Sequence, residues 1–353
     1  MKKFLCLCMA GISTVMGLAG CAGAPAETTP ATTVATQPPE EADIFKILMV
    51  GQSLAQDTVW LLEYVIRTEM PDKKVLVADI YASLALGDHR KNILDDAAIY
   101  SYYKFFDGTK QTMQDVSIKT ALRDEWWDLI IFNDSTYATT QAKEFEDGDH
   151  AFMINYIRET AKPGFKLAYN ATWANPTDAL LWGDGRRDIP PAVHERFARE
   201  FGGSRNLYYD KICANIKQYI ENNPEYDMVF HPGTAIQYAA ETYGVPEAAL
   251  DRNYELYRDY VHMSDYGRLL VAYQMYAQLF GLEKLEAVNV DVIKAEMRFS
   301  QRERKYGDIE ITQQHKDAII ASVNYALAYP NEIPPQTARE PAFLERPDLM
   351  PQN

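Results

Sequence analysis

The sequence predicts an α/β domain, a three-layer sandwich around a central, mainly parallel five-stranded sheet. Two observations carry this. Short apolar runs that stop at turn residues recur along the chain, and helical periodicity fills the intervals between them. The runs are apolar on consecutive rather than alternate residues, as strands buried on both faces require. A hydrophobic content of 47% in 353 residues is ample for a core of this kind.

Taken in order, Phe45-Lys46-Ile47-Leu48-Met49-Val50 ends at Gly51 and reads as the first strand. Val59, Leu61, Leu62, Val65 and Ile66 then recur at helical spacing as far as Met70. Lys74 to Ile80 is the second strand. Tyr100 to Met113, with Asp107-Gly108 at its middle, reads as a β-hairpin inserted on the surface. Trp127 to Phe132, Phe165 to Tyr169 and Asp227 to Phe230 supply the third, fourth and fifth core strands. Helical patterns cover Ile154 to Ala161, Pro191 to Ile220 and the strongly apolar stretch from Tyr266 to Leu279.

The ends are organised differently. Residues 1–20 have the layout of a secretory signal: Lys2 and Lys3, then a largely apolar stretch from Phe4 to Leu18. That stretch is short for a membrane span, which needs about 20 apolar residues. Leu18-Ala19-Gly20-Cys21 resembles a bacterial lipobox, the alternative being an ordinary secretory peptide with an incidental cysteine. On the lipobox reading Cys21 is lipidated, and the chain is exported and held at a cell membrane or outer membrane. Residues 21–43, rich in Thr, Pro and Glu, form a flexible tether; 44–330 form the domain and 331–353 a Pro-rich tail. A net charge of −15 argues against nucleic acid as a partner. Cys6 and Cys8 leave with the signal, so Cys213 stands without a disulfide framework. No Cys/His cluster has zinc spacing, and no metal site is expected.

In parallel sheets of this type ligands bind beyond the carboxyl ends of the strands. Ser53, in Gly51-Gln52-Ser53-Leu54, lies at such an end. It is either a helix N-cap or a nucleophile at a helix start. Asp259 and His262 stand three apart in Asp259-Tyr260-Val261-His262-Met263-Ser264. A carboxylate there can fix an imidazole's tautomer, yet the same spacing serves a structural hydrogen bond equally well.

A serine after the first strand, Asn133-Asp134 after a later one, and Asp259-x-x-His262 near the end together resemble the block order of the SGNH (GDSL-like) hydrolases. Gly-Gln-Ser stands where that family has Gly-Asp-Ser. The wording around Lys46–Ser53, Pro232-Gly233-Thr234-Ala235, His262-Met263-Ser264 and Tyr266-Gly267-Arg268 is similar to an uncharacterised bacterial lipoprotein branch of it, over Phe45 to Leu282. The resemblance implies the flavodoxin-like SGNH fold and a serine-dependent ester hydrolase that needs no cofactor. Ser53 would be the nucleophile, His262 the base and Asp259 the residue that orients it, with the Ser53 N–H and the Asn133 amide holding the oxyanion.

The family's glycine donor has no counterpart in Tyr81-Ala82-Ser83-Leu84-Ala85-Leu86-Gly87; Ala82 or Ser83 stands in its place. Two readings therefore remain: an esterase removing acetyl or similar groups from extracellular carbohydrate, or an inactive glycan-binding surface lipoprotein with the same fold. His89, Trp173 and Trp182 are candidates to line a substrate site, each with a packing role as the alternative. His231 reads as structural and Cys213 as a buried small hydrophobe.

Overall fold

The computed structural model describes residues 43–175, 191–243, 256–259, 261–298 and 307–335. The signal, Cys21, the tether, Trp182 and most of the C-terminal tail lie outside the described residues.

The chain begins with β1 (Ile44–Gly51), α1 (Ser53–Val59), α2 (Leu62–Glu69), β2 (Lys74–Tyr81) and α3 (Leu86–Leu94). A hairpin of β3 (Tyr100–Phe106) and β4 (Thr109–Val116) follows, then α4 (Ile118–Asp124) and β5 (Leu129–Phe132). Three helices come next: α5 (Thr136–Thr139), α6 (Ala142–Glu146) and α7 (Asp149–Thr160). After β6 (Lys166–Asn170) come α8 (Pro191–Phe201), α9 (Arg205–Tyr219), β7 (Met228–Phe230) and α10 (Pro232–Tyr243). The remainder comprises α11 (Asp265–Leu279), the short pair β8 (Val292–Ile293) and β9 (Ile309–Glu310), and α12 (Gln313–Ala328).

The seven-stranded sheet has the order β4-β3-β2-β1-β5-β6-β7. Strands β2, β1, β5, β6 and β7 are parallel, whereas β3 and β4 run antiparallel. The five predicted strands are thus the parallel part. The predicted surface hairpin is instead the edge of the same sheet, because β3 pairs along β2 from Leu76↔Phe106 to Tyr81↔Ser101. Tyr100 and Tyr102 are buried on β3 while β4 is solvent-facing, so the hairpin reads as surface only on its outer strand.

Side chains alternate across the sheet, and both faces are covered. Ile47, Met49, Val75, Val77 and Ile131 join one core with residues of α1, α2 and α11. Leu48, Val50, Ile80, Ile130 and Phe132 join the other, with residues of α4, α7 and α9. Burial on both sides is why β1 is apolar at consecutive positions. Each such aliphatic side chain contributes about 1.5–3 kcal/mol.

The predicted helix over Pro191 to Ile220 is two helices, broken where Gly202 and Gly203 adopt φ of 58° and 73°. Among the described residues no helix is long and apolar enough to cross a membrane.

At the start of α10, Gly233 packs against the segment that follows β6. A Cβ there would stand 2.3 Å from the Thr172 carbonyl oxygen and 2.9 Å from the Tyr209 ring. Gly233→Ala is expected to cost about 1–3 kcal/mol through overpacking. Scanning calorimetry should show a midpoint lower by several degrees, and an unchanged midpoint would refute the close packing.

Candidate active site

The loop after β1 carries Ser53. Gln52 is the N-cap of α1: its Oε1 accepts the Leu54 N–H at 2.9 Å. The capping task that competed for Ser53 is therefore done by its neighbour, and the Ser53 Oγ lies 3.3 Å from the same Oε1. His262 Nε2 lies 2.7 Å from Ser53 Oγ. His262 Nδ1 lies 2.8 Å from Asp259 Oδ2 and 3.0 Å from Oδ1. The structure thus brings the three residues into one hydrogen-bonded chain.

Asp259 Oδ1 also accepts the Val261 and His262 backbone N–H groups, at 2.9 and 2.8 Å. Burial raises the Asp259 carboxyl, but the hydrogen bonds and charge of His262 and the two N–H groups outweigh it and hold it at about 2. Asp259 is thus ionised at neutral pH and only accepts, so the His262 Nδ1 must carry the proton of the pair. Nε2 is then the open acceptor facing the Ser53 hydroxyl.

His262 sits in a small antiparallel turn: Tyr257 bridges Met263, and the Arg258 N–H donates to the His262 carbonyl at 2.9 Å. Two residues after β6 fasten this turn. The Trp173 indole N–H donates to the Val261 carbonyl at 2.8 Å, and the Tyr257 hydroxyl donates to the Ala174 carbonyl at 2.8 Å. From α1, Asp57 accepts the Met263 N–H at 2.8 Å. Gly267 lets α11 approach the same turn, since a Cβ there would lie 2.1 Å from the Leu256 carbonyl.

Three candidate donors lie on the segments that follow β1, β5 and β2. The Ser53 N–H lies in the first turn of α1, with no acceptor among the described residues. Asn133, 3% exposed at the end of β5, has neither side-chain polar atom hydrogen-bonded, and its Oδ1 would stand 2.7 Å from a Cβ on Gly51. Of the two residues in the glycine's place, the Ala82 N–H donates to the Gly51 carbonyl at 3.4 Å. The Ser83 N–H, one residue on, has no acceptor among the described residues. Of these only the Asn133 amide is buried, and a buried donor is rarely left unpaired without a reason.

Other expected positions fall elsewhere. Trp173 is fully buried, with its indole N–H committed to the histidine turn, so it offers no face to a sugar. His89, 3% exposed, stacks on Tyr100 with Nδ1 3.0 Å from its hydroxyl, and burial lowers it to about 4. It packs in the second core rather than lining the crevice. His231 and Cys213 are also buried. Among the described residues no group of three or more His, Cys, Asp or Glu is placed to hold a metal ion. Cavities of about 490 and 290 Å³ line α8–α9 and α7–α9 surfaces and include none of the three chained residues.

Asp57, Gln52, Arg258 and Trp173 shape the site without belonging to a recognisable motif. In the sequence Gln52 shows only as part of the serine block and Trp173 only as a candidate substrate contact, while Asp57 and Arg258 leave no signal.

Asp134 is buried behind Asn133, with its Oδ1 accepting the Ser135 N–H at 2.6 Å. Burial, reinforced by Glu144, Asp147 and Asp149, pushes its carboxyl up to about 7. His150 lies 3.9 Å away, but burial lowers it to about 4, so the two form no ion pair at neutral pH. The native state binds the Asp134 proton more tightly than the unfolded chain, whose carboxyl titrates near 3.9. Its contribution is whole below about pH 4 and is lost as the pH rises through 7. Asp134→Asn, which has no such proton to lose, is expected to raise the unfolding midpoint at pH 8 and leave it nearly unchanged at pH 4. Equal shifts at both pH values would contradict this.

Comparison with known proteins places the chain in a family. A solved DUF4886 family protein from Bacteroides uniformis is 24% identical, with a TM-score of 0.63 over 83% of this chain and 98% of that one. A protein from Slackia heliotrinireducens, proposed as an SGNH hydrolase, is 16% identical, with a TM-score of 0.39 over 67% of this chain and 100% of that one. No curated protein matches. The profile of the domain of unknown function DUF4886 matches residues 46–303, well over half the chain, and the protein belongs to that family.

Proposed function

We propose that the protein is a serine-dependent ester hydrolase. The observation that carries this reading is the continuous chain Ser53–His262–Asp259, with links of 2.7 and 2.8 Å. His262 Nε2 takes the Ser53 proton as Oγ bonds to the ester carbonyl carbon. The carbonyl oxygen becomes an oxyanion, held by the Ser53 and Ser83 N–H groups and the Asn133 amide. Collapse breaks the bond to the alkoxy group, which leaves as the alcohol with the proton from His262. Water, deprotonated by His262, then attacks the acyl-serine and releases the acid and free Ser53.

Asp259 stabilises the imidazolium formed in both halves and keeps Nε2 as the reacting nitrogen. Trp173, sealed in the core, offers no stacking face, and Trp182 lies outside the described residues, so the reading names the ester bond and no sugar contact. The N-terminal pattern supports action outside the cytoplasm, on a lipid anchor at Cys21.

Wild type is expected to react with a fluorophosphonate probe and to hydrolyse p-nitrophenyl acetate, and Ser53→Ala to do neither. Asp259→Asn should lower kcat on the order of 10⁴-fold by favouring the wrong tautomer, and Asn133→Ala by about 10²–10³-fold. A folded wild type inert to probe and ester would favour a glycan-binding role and end the hydrolase reading. Palmitate incorporation in cells should vanish in Cys21→Ser; retained label would refute the anchor.

A further inference from the structure

Asp57 stands one helical turn after Ser53 on α1, about 6 Å along the axis at 1.5 Å per residue, and its side chain is fully buried. Its Oδ2 accepts the Met263 N–H at 2.8 Å, and its Oδ1 accepts from Arg258 Nη1 at 2.8 Å and Arg268 Nε at 2.9 Å. Arg258 Nη1 also donates to the Met263 carbonyl at 2.6 Å. Both backbone polar groups of the residue after His262 are therefore held, one by Asp57 itself and one by the guanidinium paired with it.

We propose that Asp57 is a positioning residue, which sets the separation of Ser53 Oγ and His262 Nε2 by referring the histidine turn to the helical turn that carries the nucleophile. The proposal rests on the ester-hydrolase reading above. Its physical core is rigidity. Ser53 and Asp57 are fixed relative to each other by α1, so whatever Asp57 grips is registered against Ser53.

Burying a carboxylate costs several kcal/mol unless it is paired and hydrogen-bonded. Burial pushes Asp57 up, but Arg258, Arg268 and His262 outweigh it and keep it below the ordinary carboxylate range. Asp79, also buried, faces it from β2, and burial raises that carboxyl well above its ordinary value.

The contacts divide into two limbs. Arg268, bonded to Asp57 and at 2.8 Å to Asp265, joins α1 to α11 and suffices as structural adhesive. The bonds to Arg258 Nη1 and the Met263 N–H lead to the histidine turn. A merely structural Asp57 would need the first limb and not the second.

Arg258, with 19% of its side chain exposed, is the variant that tests the second limb without emptying the core. In Arg258→Gln, kcat for p-nitrophenyl acetate is expected to fall about 10²-fold, as for a misplacement near 1 Å. KM should stay within about twofold and the unfolding midpoint close to wild type. Arg258→Lys should recover part of the loss, and Asp57→Asn should lose kcat together with stability.

The low-field proton resonance of the His262 Nδ1–H, identified by its absence in His262→Gln, should weaken or disappear in Arg258→Gln. A wild-type kcat and resonance in that variant would overturn the proposal. Should wild type show neither turnover nor probe labelling, the hydrolase reading falls, and the resonance still decides. Its loss in Arg258→Gln upholds the placement of His262 by Asp57, and its persistence refutes it.

Discussion

The site depends on the missing side chain at residue 51. Three strand ends meet there. An ideal Cβ on Gly51 would lie 2.7 Å from the Asn133 Oδ1 and 2.7 Å from the Ala55 Cβ, so no other residue lets β5 deliver its asparagine beside the serine. The same residue's carbonyl accepts the Ala82 N–H, which leads the chain out of β2 with Ser83 next. Neighbouring parallel strands run about 4.8 Å apart, and their loops can crowd into one small space only where one of them is stripped of bulk. The order β2-β1-β5 puts that stripped residue in the middle.

His262 comes from much further along the chain, 209 residues after Ser53. Bringing a short turn to such a point costs conformational entropy and needs specific fastenings. Trp173 and Tyr257 supply neutral ones, each a buried aromatic whose polar tip is satisfied by a backbone carbonyl. Asp57 with its two arginines supplies a charged one. A wholly apolar contact would hold the turn against the domain without selecting its register, because dispersion forces have no direction. Hydrogen bonds to the Met263 N–H and carbonyl do select it.

Much of the parallel framework could be read from residue order, because consecutive apolar runs and short polar turns are local signals, whereas the serine, asparagine and histidine blocks were legible only through their resemblance to the SGNH hydrolases. The limits were physical. The β3–β4 hairpin looks like surface because β4 is solvent-facing; only pairing with β2 reveals that β3 completes a buried sheet. The break at Gly202-Gly203 was written in the chain, yet the helical pattern on either side masks it. Trp173 could not be told from a sugar platform, since the acceptor that absorbs its N–H lies 88 residues away. Asp57 and Arg268 are charged residues whose partnership spans 211 residues. Read along one helix, each is simply a polar position.

The departure from Gly-Asp-Ser to Gly-Gln-Ser has a structural sense of its own. An aspartate at position 52 can cap α1, but an ionised carboxylate only accepts hydrogen bonds. Gln52 does two things at once. Its Oε1 caps the helix at the Leu54 N–H, and its Nε2 donates to the Asp134 carbonyl at 3.1 Å. The second bond ties the loop carrying Asn133 to the loop carrying Ser53. A carboxylate facing that carbonyl would repel it. Behind the same carbonyl, burial keeps Asp134 near the boundary between neutral and charged at pH 7, so a second fixed negative charge at residue 52 would push against it from close range. A neutral amide with one accepting and one donating end is the side chain this junction calls for. The substitution therefore strengthens the link between the loops of Ser53 and Asn133, and by itself gives no reason to read the site as a decayed one.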